Sequence, residues 1–202
     1  MADVPHIVLY HAPRTRSGTV LWLLEETGLP FELRKLDLAA GEHKRPDYLA
    51  VNPMGKVPAL VWDGAVITES AAICAFVADA VPAVGLAPAL GDPQRGPYLR
   101  WMFWAAGCLE PAIVDRVLQR PAGPARTVGY GDFDSVMRVL AGALDKGPWL
   151  LGDRFTAADI LVGAGLRWAI YAGHIERRAP FGDYVAKLAA RPASQRAMAR
   201  DG

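Results

Sequence analysis

The chain has 202 residues, of which 52% are hydrophobic and 21% charged, and its formal net charge is +1. This composition excludes an intrinsically disordered chain and allows a substantial core in one or two domains. A net charge near zero gives no chain-wide electrostatic reason to expect nucleic acid or a membrane surface as a partner. No apolar run approaches the roughly 20 residues of a bilayer-spanning helix. The start, Met1-Ala2-Asp3, lacks a basic region followed by an apolar one, so we expect no signal peptide.

The two cysteines, Cys74 and Cys108, stand in separate apolar segments. Without a C-x-x-C motif or a second pair, they support neither a disulfide framework nor a zinc site nor a thioredoxin-type redox pair. We therefore expect no bound metal and a reducing, cytoplasmic location.

The first half of the chain predicts alternating strands and helices. Residues 6–11 are a short apolar run rich in strand formers, and residues 18–27 carry apolar side chains at helical spacing before a Gly and a Pro end the pattern. Residues 31–38 alternate imperfectly, as expected of a second strand. We expect residues 39–50 to form a polar loop that includes a helical turn.

Residues 52–70, N-P-M-G-K-V-P-A-L-V-W-D-G-A-V-I-T-E-S, are the most informative stretch. Turn formers at its start precede an apolar run at 59–62, and Asp-Gly is a two-residue hairpin signal before a second run at 65–68. A helix follows. A parallel strand pair joined by a helix, then an antiparallel pair and a closing helix, is the thioredoxin-like arrangement.

Two features of this stretch indicate a ligand site. Pro58 cannot donate a hydrogen bond to a neighbouring strand, so the backbone at Val57 has an unpaired edge to offer. Thr68 or Ser70 can cap the following helix, whose first-turn amides and dipole favour an anion, while Glu69 adds a carboxylate. Together these features predict a binding site for a small peptide with a free carboxylate.

The second half predicts helices. Prolines and glycines without periodicity mark residues 81–97 as a linker, and a long apolar helix then covers 98–118, with Pro111 as a potential kink. A loop at 121–131 precedes further helices at 133–144, 156–172 and 183–190, and three arginines in the last segment indicate a solvated helix face: Arg191, Arg196 and Arg200.

Phe155 to Asp159, F-T-A-A-D, has the pattern of a capping box. The hydroxyl of Thr156 serves the first-turn amides, the carboxylate of Asp159 reaches back, and Phe155 acts as the hydrophobic staple. A catalytic role for Asp159 is the alternative, and the pattern favours the structural one.

The stretch from V-P-A-L to E-S, together with the L-L-G-D-R-F-T-A-A-D-I segment, resembles the glutathione transferase family. The resemblance implies an α/β thioredoxin-like N-terminal domain at 1–80, the linker at 81–97, and an α-helical bundle C-terminal domain at 98–202 that contributes a pocket for the electrophile. It also implies a homodimer. Glutathione would be a co-substrate and no cofactor would be needed.

Carried over residue by residue, the resemblance implies a cis Val57–Pro58 bond, with Val57 pairing with the cysteinyl backbone of glutathione. Glu69 and Ser70 would hold the γ-glutamyl end. His43 and Lys44 match positions that reach the glycine carboxylate in the plant-type class, with solvated loop residues as the structural alternative. Lys56 stands where the family often has glutamine, and a cation suits a carboxylate at either place.

The residue that would activate the glutathione thiol departs from the family pattern. An ungapped alignment of residues 20–28 places the catalytic serine of serine-type classes on Arg14. The nearby hydroxyls are Thr15, our first choice, and Ser17, for which a helix cap is the structural alternative. Arg14 and Arg16 can stabilise a thiolate by charge. Tyr10 lies in the first strand, near where tyrosine-type classes keep theirs, but its neighbours favour a packing role.

Three functions remain open. The first is an enzyme that joins glutathione to a small hydrophobic electrophile, or isomerises or reduces with it. The second is a thiol–disulfide oxidoreductase, which the lack of a cysteine in residues 12–17 disfavours. The third is a non-catalytic glutathione-binding or scaffolding protein of the same fold, which Arg14 keeps under consideration.

Overall fold

The computed structural model describes residues 4–121, 123–124 and 126–202. Residues 1–3, at the start examined for a signal peptide, lie outside them, as do Ala122 and Ala125 of the predicted loop at 121–131. The chain forms two compact units, one comprising the chain up to Val84 together with Arg191–Gly202, the other Gly85–Ala190. Among the described residues, no helix combines the length and apolar character needed to cross a membrane.

The elements follow in chain order. The strands are β1 (Ile7–His11), β2 (Glu32–Lys35), β3 (Ala59–Trp62) and β4 (Ala65–Thr68). The helices are α1 (Ser17–Thr27), α2 (Pro46–Val51), α3 (Ser70–Ala80), α4 (Arg95–Trp104), α5 (Glu110–Val117), α6 (Phe133–Leu144), α7 (Ala157–Tyr171), α8 (Phe181–Ala189) and α9 (Pro192–Asp201).

The first unit contains a four-stranded sheet in the order β2-β1-β3-β4. β1 and β2 run parallel, and β3 runs antiparallel to both β1 and β4. Apolar side chains of β1, β3, α1 and α3 are fully buried and form the core of this unit: Leu9, Leu60, Val20, Leu23 and Ile73. The thioredoxin-like arrangement and the hairpin predicted from the sequence are confirmed.

Two local predictions in the first unit were incomplete. The second strand covers only Glu32–Lys35 because it lies at the sheet edge and is mostly exposed, so few contacts extend it. The predicted loop at 39–50 contains a 3₁₀ turn at Glu42–Lys44 and the short helix α2. A proline in the first turn of α2 suits a helix start, and the buried Tyr48 anchors it.

In the second unit, the long helix predicted at 98–118 is interrupted. α4 and α5 are separated by a π-helical turn at Ala105–Leu109, in which the Glu110 amide donates to the Ala105 carbonyl. Pro111 follows immediately and has no amide hydrogen to continue an α-helical ladder. The widened turn absorbs this missing donor, so the change of helix geometry lies before the proline.

The capping box of α7 is confirmed. The Thr156 amide donates to Asp159 Oδ2 over 2.9 Å, and the box is complete in both directions. Asp159 Oδ1 also accepts from the Leu150 amide and from the Tyr184 hydroxyl, each over 2.9 Å. Because Asp159 is fully buried and bonded to three segments of the chain, it is a structural residue of the second unit.

α9 packs against α1 within the first unit, although the sequence grouped residues 98–202 together. The Arg191 guanidinium donates to both carboxylate oxygens of Glu26, over 2.6 and 2.8 Å. Arg196 and Arg200 both donate to the Glu25 carboxylate, over 2.8 and 2.6 Å. Arg196 and Arg200 are exposed, as a solvated face predicts, but each of the three arginines also has a carboxylate partner on α1, which the sequence did not indicate.

Candidate active site

The register of the sheet brings four chain segments to one edge. His11 at the end of β1 lies opposite Lys35 at the end of β2, and Tyr10 lies opposite Ala59 at the start of β3. Ala59 in turn lies opposite Thr68 at the end of β4. The segments that continue from these strand ends carry all the predicted site residues: Arg14, Thr15, Ser17, His43, Lys44, Lys56, Val57, Pro58, Glu69 and Ser70.

The turn before β3 is organised by Asn52, which is buried. Its side-chain amide accepts from the Met54 amide over 3.0 Å and donates to the Lys56 carbonyl over 2.7 Å. The same carbonyl accepts from the Tyr48 hydroxyl, and burial raises the pKa of Tyr48 to about 12, so that it stays a donor. These bonds position the backbone just before Val57, and the predicted cis Val57–Pro58 bond is confirmed. The sequence had indicated Asn52 only as a turn former.

The loop after β2 is joined to this turn. Lys44 Nζ donates to the Met54 carbonyl over 3.2 Å, while Lys56 projects an exposed side chain. Gly55 has φ +59°, and a Cβ there would lie 2.8 Å from the His43 carbonyl oxygen. Only glycine therefore lets the two segments approach this closely, and the closeness places two cationic side chains at the same edge.

The start of α3 differs from the prediction in one respect. Glu69 is the N-cap residue, and within the described chain no side-chain hydrogen bond caps this helix, so capping by Thr68 or Ser70 is wrong. Glu69 is exposed and has φ +68°, a conformation that only a few per cent of non-glycine residues adopt. The first-turn amides of α3 and the Ser70 side chain therefore remain available at the sheet edge.

The two candidate hydroxyls differ in exposure. Thr15 is partly exposed, and its Oγ1 lies 2.7 Å from the Ala12 carbonyl oxygen, to which it donates, and 2.7 Å from Ser17 Oγ. Ser17 is fully buried, and its Oγ accepts from the Ala12 amide over 3.0 Å. Ser17 is the first residue of α1 rather than its cap. Thr15 is therefore the hydroxyl that a ligand can reach, with Ser17 behind it.

The other residues considered near β1 are placed as follows. The Arg14 and Arg16 side chains are exposed, and the Arg14 backbone amide donates to Asp201 Oδ2 over 3.1 Å. The Tyr10 hydroxyl accepts from Arg34 over 3.0 Å and its ring packs near that of Tyr48, which fits the packing role that its neighbours predicted.

Sequence reasoning missed two residues behind Thr15. His11, the last residue of β1, is fully buried and its Nδ1 lies 2.8 Å from Ser17 Oγ. Its Nε2 lies 3.4 Å from Asp201 Oδ1, at the end of α9. A histidine ending an apolar strand six residues before a serine was a signal for the first residue. Nothing local could have indicated the second.

Comparison with known proteins decides the family. Residues 16–80 match the model of the glutathione S-transferase N-terminal domain. Glutathione S-transferase GST-4.5 of Xanthomonas campestris is 35% identical, over 82% of this chain and 83% of that protein. The chain belongs to the glutathione S-transferase family. It is an enzyme of this family, and the predicted combination of a thioredoxin-like domain with a helical domain is confirmed.

Two further relatives bear on the site. Disulfide-bond oxidoreductase YfcG of Escherichia coli K12 is 32% identical, over 76% of each chain. The solved structure of a sphingomonad glutathione S-transferase complexed with glutathione is 34% identical, has a TM-score of 0.79, and covers 96% of this chain and 98% of that one. This transferase thus resembles, over nearly its whole length, a protein whose structure contains bound glutathione.

Proposed function

We propose that this transferase binds glutathione at the sheet edge described above and activates it as a thiolate, chiefly through Thr15, for attack on a small hydrophobic electrophile. The observation that supports this most is the Thr15 hydroxyl. It is partly exposed in the turn between β1 and α1, on the same edge as the cis Val57–Pro58 bond and the start of α3.

The charges at this edge suit the two ends of glutathione. The backbone of Val57 pairs with the cysteinyl residue, and Glu69 with Ser70 takes the ammonium and carboxylate of the γ-glutamyl end at the helix start. Lys44 and Lys56, with His43, attract the glycine carboxylate through charge-assisted hydrogen bonds. Each charged group of the tripeptide thus meets a partner of suitable sign.

Thiolate formation is the step that the enzyme must supply. A free thiol ionises near pKa ~8.5, so little nucleophile is present at neutral pH. One hydrogen bond to a charged acceptor contributes about 1.5–3 kcal/mol. At about 1.36 kcal/mol per unit, a bond from Thr15 lowers the thiol pKa by roughly one to two units. The positive end of α1 and the exposed charges of Arg14 and Arg16 act in the same direction.

Replacing Thr15 tests this directly. In Thr15→Val the hydroxyl is lost while the volume is kept, and we expect the thiol of bound glutathione to titrate about one to two units higher in ultraviolet difference spectra. Thr15→Ser, which keeps the hydroxyl, is the matched control and should titrate like the wild type. A wild-type complex that titrates like free glutathione would instead favour a non-catalytic binding protein.

Reduction of disulfides is a second candidate function, because a relative of similar identity is named a disulfide-bond oxidoreductase. With no cysteine in residues 12–17, glutathione itself would be the thiol: two glutathione molecules and one disulfide give one glutathione disulfide and two thiols. Comparing turnover of a small disulfide with that of an aryl halide distinguishes reduction from transfer.

We further propose a cytoplasmic homodimer. The free thiols of Cys74 and Cys108 support a reducing location, and the dimer rests on the resemblance to the transferase family. Light scattering after size-exclusion chromatography measures the assembly, and a monomer at micromolar concentration would contradict it.

A further inference from the structure

His11 stands out as a fully buried titratable side chain that the proposed function does not use. Its two ring nitrogens face different groups: Nδ1 lies 2.8 Å from Ser17 Oγ, and Nε2 lies 3.4 Å from Asp201 Oδ1. In a neutral imidazole one nitrogen carries the hydrogen and the other is an acceptor. The carboxylate favours the hydrogen on Nε2, and this leaves the lone pair of Nδ1 directed at Ser17.

The chain is built to bring the carboxylate to this position. A Cβ at residue 18 would lie 3.1 Å from Asp201 Oδ1, so Gly18 makes room for the oxygen. The other oxygen of Asp201 accepts from the Arg14 amide. Lys35 lies opposite His11 on β2, and its ammonium donates to the Gly202 carbonyl over 2.7 Å. The end of α9 is thus held against the end of β1 from both sides.

The hydroxyls of Ser17 and Thr15 continue the row of hydrogen-bonding groups toward the sheet edge. Ser17 Oγ lies 2.8 Å from His11 Nδ1 and 2.7 Å from Thr15 Oγ1. Thr15 is partly exposed, and both contacts are ordinary hydrogen-bond distances. Hydrogen-bond distances therefore run unbroken from His11 through Ser17 to the Thr15 hydroxyl. Asp201 stands beside His11 as a charge partner, 3.4 Å away and without a hydrogen bond to it.

We propose that His11 is the proton acceptor for the glutathione thiol, reached through the hydroxyls of Thr15 and Ser17 and supported by the Asp201 carboxylate. The S–H bond breaks and its proton passes to Thr15 Oγ1. The Thr15 hydroxyl turns from the Ala12 carbonyl to Ser17 Oγ and gives its proton there, and the Ser17 proton passes to His11 Nδ1. The products are a thiolate and an imidazolium whose Nε2–H faces Asp201, with no proton released to water.

Burial opposes the uptake of a proton by His11, and the Asp201 carboxylate favours it. Burial lowers the pKa of His11, against the opposing effect of Asp201, so the ring is a neutral acceptor before glutathione binds. Lys35 also lowers it. A thiolate at the end of the row adds a negative charge, which favours the imidazolium. His11 touches no substrate atom, so it acts only through the two hydroxyls.

The role of His11 rests on the proposed function. Counting the protons released on binding distinguishes a failure of that role from a failure of the proposed function. Calorimetry of glutathione binding in buffers of different ionisation enthalpy measures protons released, while ultraviolet difference spectra measure thiolate. For the wild type we expect thiolate without proton release. In His11→Gln we expect less thiolate at neutral pH, a titration about one unit higher, and one proton released for each thiolate formed.

A structural role for His11 is tested with S-methylglutathione, which has no thiol proton. Unchanged affinity of His11→Gln for this ligand supports the relay, whereas a loss equal to that for glutathione contradicts it. Because a buried substitution can prevent folding, Asp201→Asn provides a second variant at a side chain that is 26% exposed. It should shift the thiolate titration in the same direction, and an unchanged titration contradicts the proposal.

Absence of thiolate in the wild-type complex would remove the proposed function itself. Thiolate with one proton released in the wild type, unaltered in both variants, would leave the proposed function intact and overturn the role of His11.

Discussion

At the scale of single residues, two glycines between β2 and β3 differ in what surrounds them. Gly41 and Gly55 both have positive φ, +71° and +59°. A Cβ at Gly41 would meet nothing within 4 Å, whereas one at Gly55 would lie 2.7 Å from Lys44 Nζ and 2.8 Å from the His43 carbonyl oxygen. Comparing alanine variants at these two glycines therefore distinguishes the cost of the backbone conformation from the cost of a steric clash at the site.

Gly55→Ala should weaken glutathione binding, because the added methyl group pushes the segment of His43 and Lys44 away from the turn that precedes Val57. Gly41→Ala should leave affinity unchanged and lower stability by only about 1–2 kcal/mol, the cost of a left-handed non-glycine residue. Titration calorimetry and urea unfolding of both variants check this. Equal losses of affinity in the two variants would show that the backbone conformation, and not the clash at Gly55, weakens binding.

At the same scale, Ser70 allows the proposed binding role to be separated from stability. Its hydroxyl does not cap α3, so Ser70→Ala should leave the melting temperature close to that of the wild type. Loss of a hydrogen bond to a charged ligand group costs about 1.5–3 kcal/mol, which weakens glutathione binding roughly ten- to a hundredfold. Titration calorimetry with glutathione measures this loss of affinity, and an unchanged affinity would exclude Ser70 from the site.

At the scale of elements, the start of α7 shows how one buried carboxylate can join several segments. Asp159 accepts from the amides of Leu150 and Thr156 and from the hydroxyl of Tyr184. Burial raises the pKa of Tyr184 well above its ordinary value, so it remains a donor to this carboxylate. The capping box predicted from five consecutive residues is thus part of a larger network.

Asp159→Ala should lower stability by at least about 3 kcal/mol, because three buried donors lose their acceptor at about 1–3 kcal/mol each. For a chain of this size that is a fall of roughly 6–12 °C in melting temperature. Asp134→Ala, at an exposed position in the first turn of α6, is the control and should change little. Glutathione affinity of the folded Asp159→Ala protein should be unaltered. A stable but inactive variant would contradict the structural role.

At the scale of the whole molecule, α9 returns the chain to its first unit after the helices of the second. Glu25 on α1, whose side chain is only 10% exposed, accepts from both Arg196 and Arg200. Burial tends to raise the pKa of Glu25, but hydrogen bonds from the two arginines outweigh it and the pKa is lowered. The carboxylate therefore stabilises the fold in its charged form.

Glu25→Gln should lower the free energy of unfolding at neutral pH. Because the pKa of Glu25 is lower in the folded chain than its ordinary 4.5, its contribution is present above 4.5 and is lost as the pH falls through the folded value. The difference between wild type and variant should therefore shrink in acid. Urea unfolding of both proteins at several pH values measures this difference in the free energy of unfolding. Glu32→Gln, whose ion pair with Arg34 is exposed, should have a smaller effect.

What the sequence by itself determined lies in short consecutive segments. The hairpin at 59–68, the capping box at 155–159 and the cis Val57–Pro58 bond depend on residues close along the chain, whose local preferences agree with the final fold. The same local patterns carried the resemblance to the transferase family, while the role of Thr15 stays a prediction.

Only the tertiary structure decided which distant residues meet. Asp201 reaches His11 across 190 positions of sequence, and Arg191 reaches Glu26 across 165. Such pairs leave no periodicity or motif, because a side chain's partner is set by how helices pack and not by its neighbours in the chain. The depth of Ser17 behind Thr15 was likewise decided by packing, since burial depends on every segment that covers a residue.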